Sequence, residues 1–402
     1  MGPIIDSSTV ELTPLLILMG PQSAGKSTFM KVLCFCRWVE KRIMVSTVDL
    51  VNQYTHYGRF IKEFKLFHRM DDSFFSRNTR IYYESEMLSI TFLGENKNPR
   101  IVRKRGFQNG RFNTKLSYIP AERNLVSSFR NIDRAYRSSD RDVLFNLIYE
   151  WDEAKAPYTR ENAFPLSVTG GFQYVNKNGE DTLLMKNGMQ IPAFYASSGL
   201  QSVMPLEVMS RYFLSLVGSR SAYSKHDLSS YISSYLMDAL NGDDMIKETR
   251  LPDEMALESL KRRFTYQSAQ LYIEEPEQNL YPESQRLLMC SLVKSLGLAQ
   301  KNGSQMSSIV LTTHSPYVLS VINVLFRAAV CYEKTRKEAV HRLIEEELLL
   351  PSNSFSAYFI NEGLFSNVLD SEIPMFSGNE LDGVSDWVDE KIAGLNDLSY
   401  GA

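Results

Sequence analysis

The residues with the clearest chemical meaning are the consecutive run Gly20-Pro21-Gln22-Ser23-Ala24-Gly25-Lys26-Ser27-Thr28. A glycine followed, after four residues, by Gly-Lys-Ser has the spacing of a phosphate-binding loop. In such a loop, backbone N–H groups surround phosphate oxygens at the start of a helix. Lys26 is then aimed at the β and γ oxygens, and the Ser27 hydroxyl is offered to Mg²⁺. The sequence therefore predicts a site for a nucleoside triphosphate.

Two adjacent acids, Glu274 and Glu275, follow the apolar run Leu271-Tyr272-Ile273. Because neighbouring residues of a strand point to opposite sides, the two carboxylates cannot do the same job. We expect Glu274 to hold the Mg²⁺ shell and Glu275 to orient or deprotonate the attacking water. The alternative is an exposed strand end with two solvated carboxylates.

His314 follows the next apolar run, Ile309-Val310-Leu311-Thr312-Thr313. At the end of a strand beside the acid pair, it can hydrogen-bond the γ-phosphate or the attacking water. A histidine at a strand–helix junction is more often a capping or packing residue, and that alternative stays open on the residues alone.

A fourth short motif, Ser198-Gly199-Leu200-Gln201, precedes a run that reads as a helix. Serine and glycine at a helix start bind anions through free backbone N–H groups. An ordinary helix cap is the alternative interpretation, and the motif alone does not decide between them.

The elements that must position these residues follow from the hydrophobic pattern. Leu15–Met19 predicts a strand before the phosphate loop, and residues 29–33 continue as a helix. Strand and helix patterns then alternate through the last part of the core, at residues 269–273, 282–298, 308–313 and 316–330. Such alternation predicts a mostly parallel sheet whose strand ends carry the site.

Other segments have different periods. Short strands separated by turn residues are expected at residues 81–83, 88–92, 101–105 and 115–119, forming an antiparallel sheet beside the nucleotide domain. Residues 165–196 return to short strands, whereas residues 122–153 and 201–264 favour helices, with a charged insertion at about 241–263. The tail predicts a hairpin at 361–363 and an acidic amphipathic helix near 384–395.

These patterns indicate an α/β fold: a mostly parallel sheet with flanking helices, an antiparallel β-subdomain and an inserted helical lobe. We expect residues 1–122 and 265–402 to form the nucleotide-binding core, with the antiparallel subdomain at about 81–119. Residues 123–264 are expected to form the helical lobe.

The composition is that of a globular protein, with 44% hydrophobic and 23% charged residues in 402 and a net charge of -3. The sequence lacks an apolar run long enough to span a membrane and a secretory signal pattern, so we expect a cytoplasmic protein with no membrane partner. The four cysteines are expected to be reduced, and the scattered histidines indicate no metal site beyond Mg²⁺.

The four motifs, in this order, resemble the ABC class of ATPases: a Walker A loop at 20–28, a signature at 198–201, a Walker B strand at 271–275 and a switch histidine, His314. The run Glu274-Glu275-Pro276-Glu277 looks like the form found in the RecF/OLD-like and SMC-like branch. Residues 118–123, Tyr-Ile-Pro-Ala-Glu-Arg, resemble a segment of stand-alone ATPases from that branch, many from bacterial anti-phage systems such as the PARIS type.

Three departures refine this resemblance. Leu200 replaces the second glycine of the usual transporter signature, which argues against a transporter subunit. Fewer than two hundred residues separate the Walker A loop from the signature, which excludes the long coiled-coil arms of chromosome and break-repair ATPases. Relatives have a complete first strand ahead of this chain's first residues, so we expect one edge strand to be short or missing.

The resemblance implies an ATP- and Mg²⁺-dependent ATPase that forms a head-to-tail homodimer or a higher assembly of such dimers. The implied catalytic residues are Glu275, His314 and Lys26, and Ser27 and Glu274 hold the metal. The implied trans contacts to ATP come from the signature residues Ser198, Gly199 and Gln201. Because no nuclease-like cluster is recognisable elsewhere, the resemblance favours a switch that controls a separate effector protein, a nuclease or a toxin.

Two further hypotheses about function remain open. A basic cluster could contact nucleic-acid phosphates, as in a DNA-repair ATPase that binds DNA directly, or could be the solvated side of a hairpin. Its members are Lys97, Arg100, Arg103, Lys104, Arg105 and Arg111. A stand-alone nucleotide enzyme such as a kinase is the third hypothesis, and it would have no use for a signature acting in trans.

Overall fold

The structure is a computed structural model. It describes residues 1–45, 50–104, 113–129, 132, 142–219, 265–303, 306–334, 337–370, 372–378, 388–393 and 395. In chain order, the described strands are β1 (Leu15–Met19), β2 (Arg80–Glu84), β3 (Leu88–Leu93), β4 (Arg100–Arg103), β5 (Thr114–Ile119), β6 (Phe164–Pro165), β7 (Gln173–Lys177), β8 (Glu180–Leu184), β9 (Gln190–Pro192), β10 (Ser268–Glu274), β11 (Ser308–Thr313), β12 (Phe355–Asn361) and β13 (Leu364–Asn367). The described α-helices are α1 (Lys26–Val45), α2 (Val51–Tyr54), α3 (Arg59–His68), α4 (Leu125–Ser128), α5 (Val143–Lys155), α6 (Ser198–Ser215), α7 (Pro282–Asn302), α8 (Pro316–Lys334) and α9 (Lys337–His341).

The central sheet has six strands in the order β13-β12-β1-β11-β10-β5. All neighbouring pairs are parallel except β12 and β13. Every residue of β1 and of β10 is buried, as expected for strands covered on both faces. The prediction of a mostly parallel α/β sheet is confirmed, and β11 lies between the strand that leads to the phosphate loop and the strand that leads to the acid pair.

The antiparallel sheet beside this core differs from the expectation by one strand. It contains β2, β3 and β4. The expected fourth strand, β5, pairs instead with β10 in parallel, with Ser117 opposite Leu271. Lys115 and Ser117 are polar residues of the kind expected on an exposed face of a strand. In the structure both side chains are buried, and both donate hydrogen bonds to the Glu150 carboxylate of α5. The sequence-based placement of this strand was therefore wrong.

The two faces of the sheet are covered by different helices, as the alternation along β5 shows. On one face, Tyr118 packs edge-on against His68 at the end of α3. On the other, Lys115 pairs with Glu150 of α5 at 2.8 Å and lies over the Phe213 ring of α6. Glu274 lies on the Tyr118 face because the two side chains are hydrogen-bonded.

The expected helical lobe also contains a small sheet. Strands β6 to β9 form a four-stranded antiparallel sheet in sequence order, consistent with the short strands predicted at 165–196. Trp151 of α5 donates to Asp181 of β8 at 3.1 Å, which joins the helices to this sheet. The charged insertion predicted at 241–263 lies outside the described residues.

The tail has the predicted hairpin, since β12 and β13 pair antiparallel with Asn361 opposite Leu364. Of the acidic helix predicted at 384–395, residues 388–393 and 395 are described and helical, and the others lie outside the described part. Within the described ranges, none of the helices has the length and apolar character needed to cross a membrane.

Candidate nucleotide-binding site

The predicted phosphate loop connects β1 to α1 and needs its two glycines for steric reasons. Gly20 has φ +140°, and a Cβ at this position would lie 2.0 Å from the carbonyl oxygen of Ile360. Gly25 has φ +114°, and its Cβ would lie 2.8 Å from Cγ1 of Ile4. The loop then enters the helix directly, with the Phe29 N–H donating to Gly25 O at 2.9 Å. Only glycine avoids these contacts at Gly20 and Gly25.

Lys26 is the first residue of α1 and is buried inside the loop. Its Nζ donates to Gly20 O at 2.8 Å and to Pro21 O at 2.7 Å. Burial lowers the pKa of Lys26 to about 8, while the nearby charges of Glu275 and Glu277 oppose that shift. Because carbonyls are weak partners for an ammonium group, phosphate oxygens at this helix start would be better ones.

The side chain of Glu274, the predicted Mg²⁺ ligand, is held by two groups of the segment 118–123, which in the sequence indicates only a family resemblance. Its Oε1 accepts from the Tyr118 hydroxyl at 2.7 Å, and its Oε2 accepts from the Ala121 N–H at 3.2 Å. A carboxylate oxygen has two lone pairs, so each keeps one for a metal-bound water. Ser27, the other predicted metal residue, lies next to Lys26 at the start of α1.

Glu275 and His314 are brought together at the same sheet edge. His314 Nε2 lies 3.5 Å from Glu275 Oε1, and both side chains are partly exposed. Glu275 has φ +43°, an uncommon backbone conformation for a residue with a side chain, and its N–H donates to Thr312 O at 3.0 Å. The turn after β10 thus aims this carboxylate toward the strand that carries the histidine.

Glu277 is a third acid at this edge, and residue-based reasoning missed its role. Its Oε1 accepts from the backbone N–H of His314 at 2.7 Å, which ties the two strand ends together. Its Oε2 is buried and has no hydrogen-bond partner among the described residues. The signal in the sequence that could have found it is the Glu-Glu-Pro-Glu spacing.

The signature segment lies against the loop that follows the acid pair. A Cβ on Gly199 would lie 2.7 Å from Asn279 O, so the start of α6 approaches that loop closely. The side chain of Gln201 is held at both ends, with Nε2 donating to Phe194 O at 2.9 Å and Oε1 accepting from the Ser128 hydroxyl at 3.1 Å. Ser198 is exposed. None of the hydrogen bonds among the described residues joins Ser198 or Gly199 to the chain's own phosphate loop.

The predicted basic cluster is only partly described. Arg100 and Arg103 are exposed on β4, and Lys104 Nζ contacts the Glu84 carboxylate. Arg105 and Arg111 lie outside the described residues.

Comparison with known proteins gives two findings. Residues 258–320 match a family described as "AAA domain, putative AbiEii toxin, Type IV TA system". The SMC head domain from Thermotoga maritima is similar at 9% identity, with 90% of each chain covered and a TM-score of 0.35. No curated protein matches the chain.

The phosphate loop, the acid pair and the family match together support a P-loop ATPase. The matched segment contains the whole of β10 and β11, which carry Glu274, Glu275 and His314 at their ends. The match covers less than half of the chain.

Proposed function

We propose that this protein is an ATP-hydrolysing molecular switch. The observation that carries the proposal is the shared edge of β1, β11 and β10, where the phosphate loop, His314 and Glu275 meet. Glu275 lies 3.5 Å from His314, and its charge acts on Lys26. These are the groups needed to bind a terminal phosphate and to orient a water molecule on it.

Each group then has a role. The backbone of residues 20–28 and Lys26 hold the phosphates, with Gln22, Ser23, Ala24 and Thr28 lining the loop. Ser27 and Glu274 fit a Mg²⁺ ion, because hydroxyl and carboxylate oxygens are the ligands that this ion prefers. Glu275 activates the water, and His314 senses the γ-phosphate.

The proposed active form is a head-to-tail homodimer, in which Ser198, Gly199 and Gln201 of one subunit contact ATP held by the other. The exposed start of α6 supports this arrangement, because free N–H groups at a helix N-terminus attract anions. Two exposed aromatic side chains, Phe194 and Tyr195, lie just before α6 in sequence, and the exposed Tyr281 lies just before α7. Such residues are common in protein–protein contacts.

The proposed output is control of a separate effector protein, in bacterial anti-phage defence and in the cytoplasm. This proposal rests on the resemblance of the motifs. The description of the matched family, a putative toxin of a type IV toxin–antitoxin system, supports a role in a partnered system of this kind.

The direct test is the ATP turnover per subunit as a function of protein concentration. We expect turnover per subunit to rise with concentration and then to level off, because each site needs a second chain. Turnover that is independent of concentration down to the nanomolar range would contradict the trans arrangement and favour a stand-alone enzyme.

A DNA-binding ATPase is the second candidate, favoured by the exposed Arg100 and Arg103 on the edge strand β4. Its test is the affinity for duplex DNA with and without ATP over a range of salt. Tight binding that requires ATP and falls steeply with salt would make DNA clamping the primary role.

A further inference from the structure

The side chain of Arg123 is a fully buried cation, and among the described residues its hydrogen-bond acceptors are all backbone carbonyls. Its Nη1 donates to Glu274 O at 2.7 Å, and its Nη2 donates to Glu275 O at 2.7 Å. Its Nε donates to Ser202 O at 3.1 Å, and Nη1 also reaches Pro120 O at 3.3 Å. Arg123 has 0% relative exposure, so water does not compete for these bonds.

The four carbonyls belong to three different parts of the fold. Glu274 and Glu275 are the end of β10 and the residue after it, Ser202 is in α6, and Pro120 follows β5. A guanidinium group is planar and carries its five N–H donors in a fixed fork. The relative positions of α6 and the Glu275 backbone are therefore set by one rigid group.

In the first turns of α6, one backbone carbonyl lacks its usual donor within the helix. Pro205 lies inside the helix and has no N–H, so it cannot donate to the carbonyl of Gln201. The Ser127 hydroxyl donates to Gln201 O instead, at 2.7 Å. Ser202 O, the next carbonyl, receives Arg123. Side chains from the segment after β5 thus hold two consecutive carbonyls of the signature helix.

The positive charge of Arg123 is stabilised by carboxylates of the site. Burial lowers its pKa to about 10, and the neighbouring carboxylates, Glu277 and Glu275 foremost, oppose that shift. The group therefore stays protonated at neutral pH. It lies among the same acids that act on Lys26, so two cations face this acidic edge.

We infer that Arg123 is a positioning residue that couples the signature helix α6 to Glu275. When the start of α6 is moved by a nucleotide on the partner subunit, the guanidinium fork carries that movement to the Glu275 carbonyl and sets the direction of its carboxylate. Glu275 is sensitive to such a shift because its φ of +43° depends on the surrounding bonds. This inference rests on the proposed function.

The first test compares Arg123→Lys and Arg123→Met with the wild-type protein. Lysine keeps the charge but not the planar fork, and methionine removes both. We expect kcat for ATP hydrolysis to fall by about 100-fold in Arg123→Met and by about 10-fold in Arg123→Lys, since small misplacements of a reacting group have effects of this size. The affinity for fluorescent mant-ADP should stay within about threefold, since Arg123 makes no bond to the phosphate loop.

Lys115→Met is the matched control. Lys115 is another buried cation between the sheet and the helices, paired with Glu150 on the face away from Glu274. Its loss should lower the melting temperature at least as much as the Arg123 changes do, with kcat within about threefold of wild type. A fall in kcat that follows melting temperature across all three variants would mean that Arg123 has a merely structural role.

Hydrogen exchange gives a readout that does not depend on catalysis. In Arg123→Lys, amide exchange should increase together in residues 198–206 and 274–280, and Lys115→Met should leave 274–280 unchanged. Faster exchange in only one of the two segments, or wild-type kcat in both Arg123 variants, would overturn the coupling. If the wild-type protein does not hydrolyse ATP, the proposed function fails. The amide exchange of the two segments still decides whether Arg123 couples α6 to the Glu275 backbone.

Discussion

The Tyr118 hydroxyl donates a 2.7 Å hydrogen bond to Glu274 Oε1, and the two residues come from adjacent strands of the parallel sheet. Tyr118 is itself fully packed between His68 and Tyr272. A carboxylate held in this way cannot rotate freely, so the direction of its remaining lone pairs is set by the tyrosine. The orientation of the proposed metal site is thus determined from β5.

Tyr118→Phe is therefore expected to weaken the apparent affinity of the ATPase for Mg²⁺. The change removes only the donor, and the concentration of Mg²⁺ needed for half-maximal activity should rise by about 10-fold or more, as for other groups that orient metal ligands. Mg²⁺ titration of the ATPase rate measures it. Tyr272→Phe is the control, because Tyr272 stacks on Tyr118 but its hydroxyl reaches Gln270 and not Glu274. An unchanged titration in Tyr118→Phe would contradict the proposed role of Glu274 in holding Mg²⁺.

Lys26 predicts a pH dependence of nucleotide binding. The pKa of the buried ammonium group in the free protein is lowered to about 8. Phosphate binds the charged form, so ATP affinity should be constant below pH 8 and should fall by up to about 10-fold per pH unit above it. Mant-ATP titrations between pH 7 and pH 9.5 measure this.

The matched variant for that experiment is Lys26→Arg. An arginine stays charged throughout this range, so the variant should bind more weakly at every pH but with a flat profile. A falling profile in both proteins would assign the titration to another group.

Glu275→Gln is expected to separate binding from hydrolysis. The amide is nearly the same size as the carboxylate but cannot accept a proton from water, so ATP binding should persist while kcat falls by about 100-fold or more. Single-turnover hydrolysis and mant-ATP binding measure the two steps. Glu283→Gln is the control, because Glu283 is an exposed acid at the start of α7 that pairs with Arg286. Normal hydrolysis by Glu275→Gln would refute the choice of base.

Local sequence signals predicted the strands that position the candidate site residues. The glycines of the phosphate loop, the fully apolar β1 and the apolar run at the end of β10 are recognisable because their requirements lie within a few residues of chain. The placement of β5 failed for a physical reason, since Lys115 and Ser117 look solvated until Glu150 is known to be buried against them.

Contacts between distant parts of the chain could not be predicted in the same way. Arg123 reaches Ser202 across 79 residues and Glu274 across 151, and its acceptors in the described part of the chain are backbone carbonyls. Every residue has a backbone carbonyl, so the residue types along the sequence do not indicate which carbonyls accept from Arg123. The partner of Glu277 is also a backbone group, the His314 N–H, so the Glu-Glu-Pro-Glu spacing marks the acid but not the contact it makes.

The head-to-tail arrangement can be tested by mixing two inactive variants. Lys26→Ala should abolish ATP binding, and Ser198→Phe should block the exposed start of α6 while leaving its own phosphate loop intact. In a mixed dimer, one of the two composite sites contains both defects and the other contains neither. A 1:1 mixture should therefore recover about a quarter of wild-type activity, since half of the dimers are mixed and each has one intact site.

The control for this mixture is Lys26→Ala combined with Glu275→Gln, which damage the same half of the composite site. That pair leaves no intact site in any dimer, and no activity should return. Recovery in the Lys26→Ala and Ser198→Phe mixture alone would show that the signature acts in trans. If neither mixture recovers activity although both variants fold and associate, the loop at 20–28 does not receive its second half from another copy of this chain.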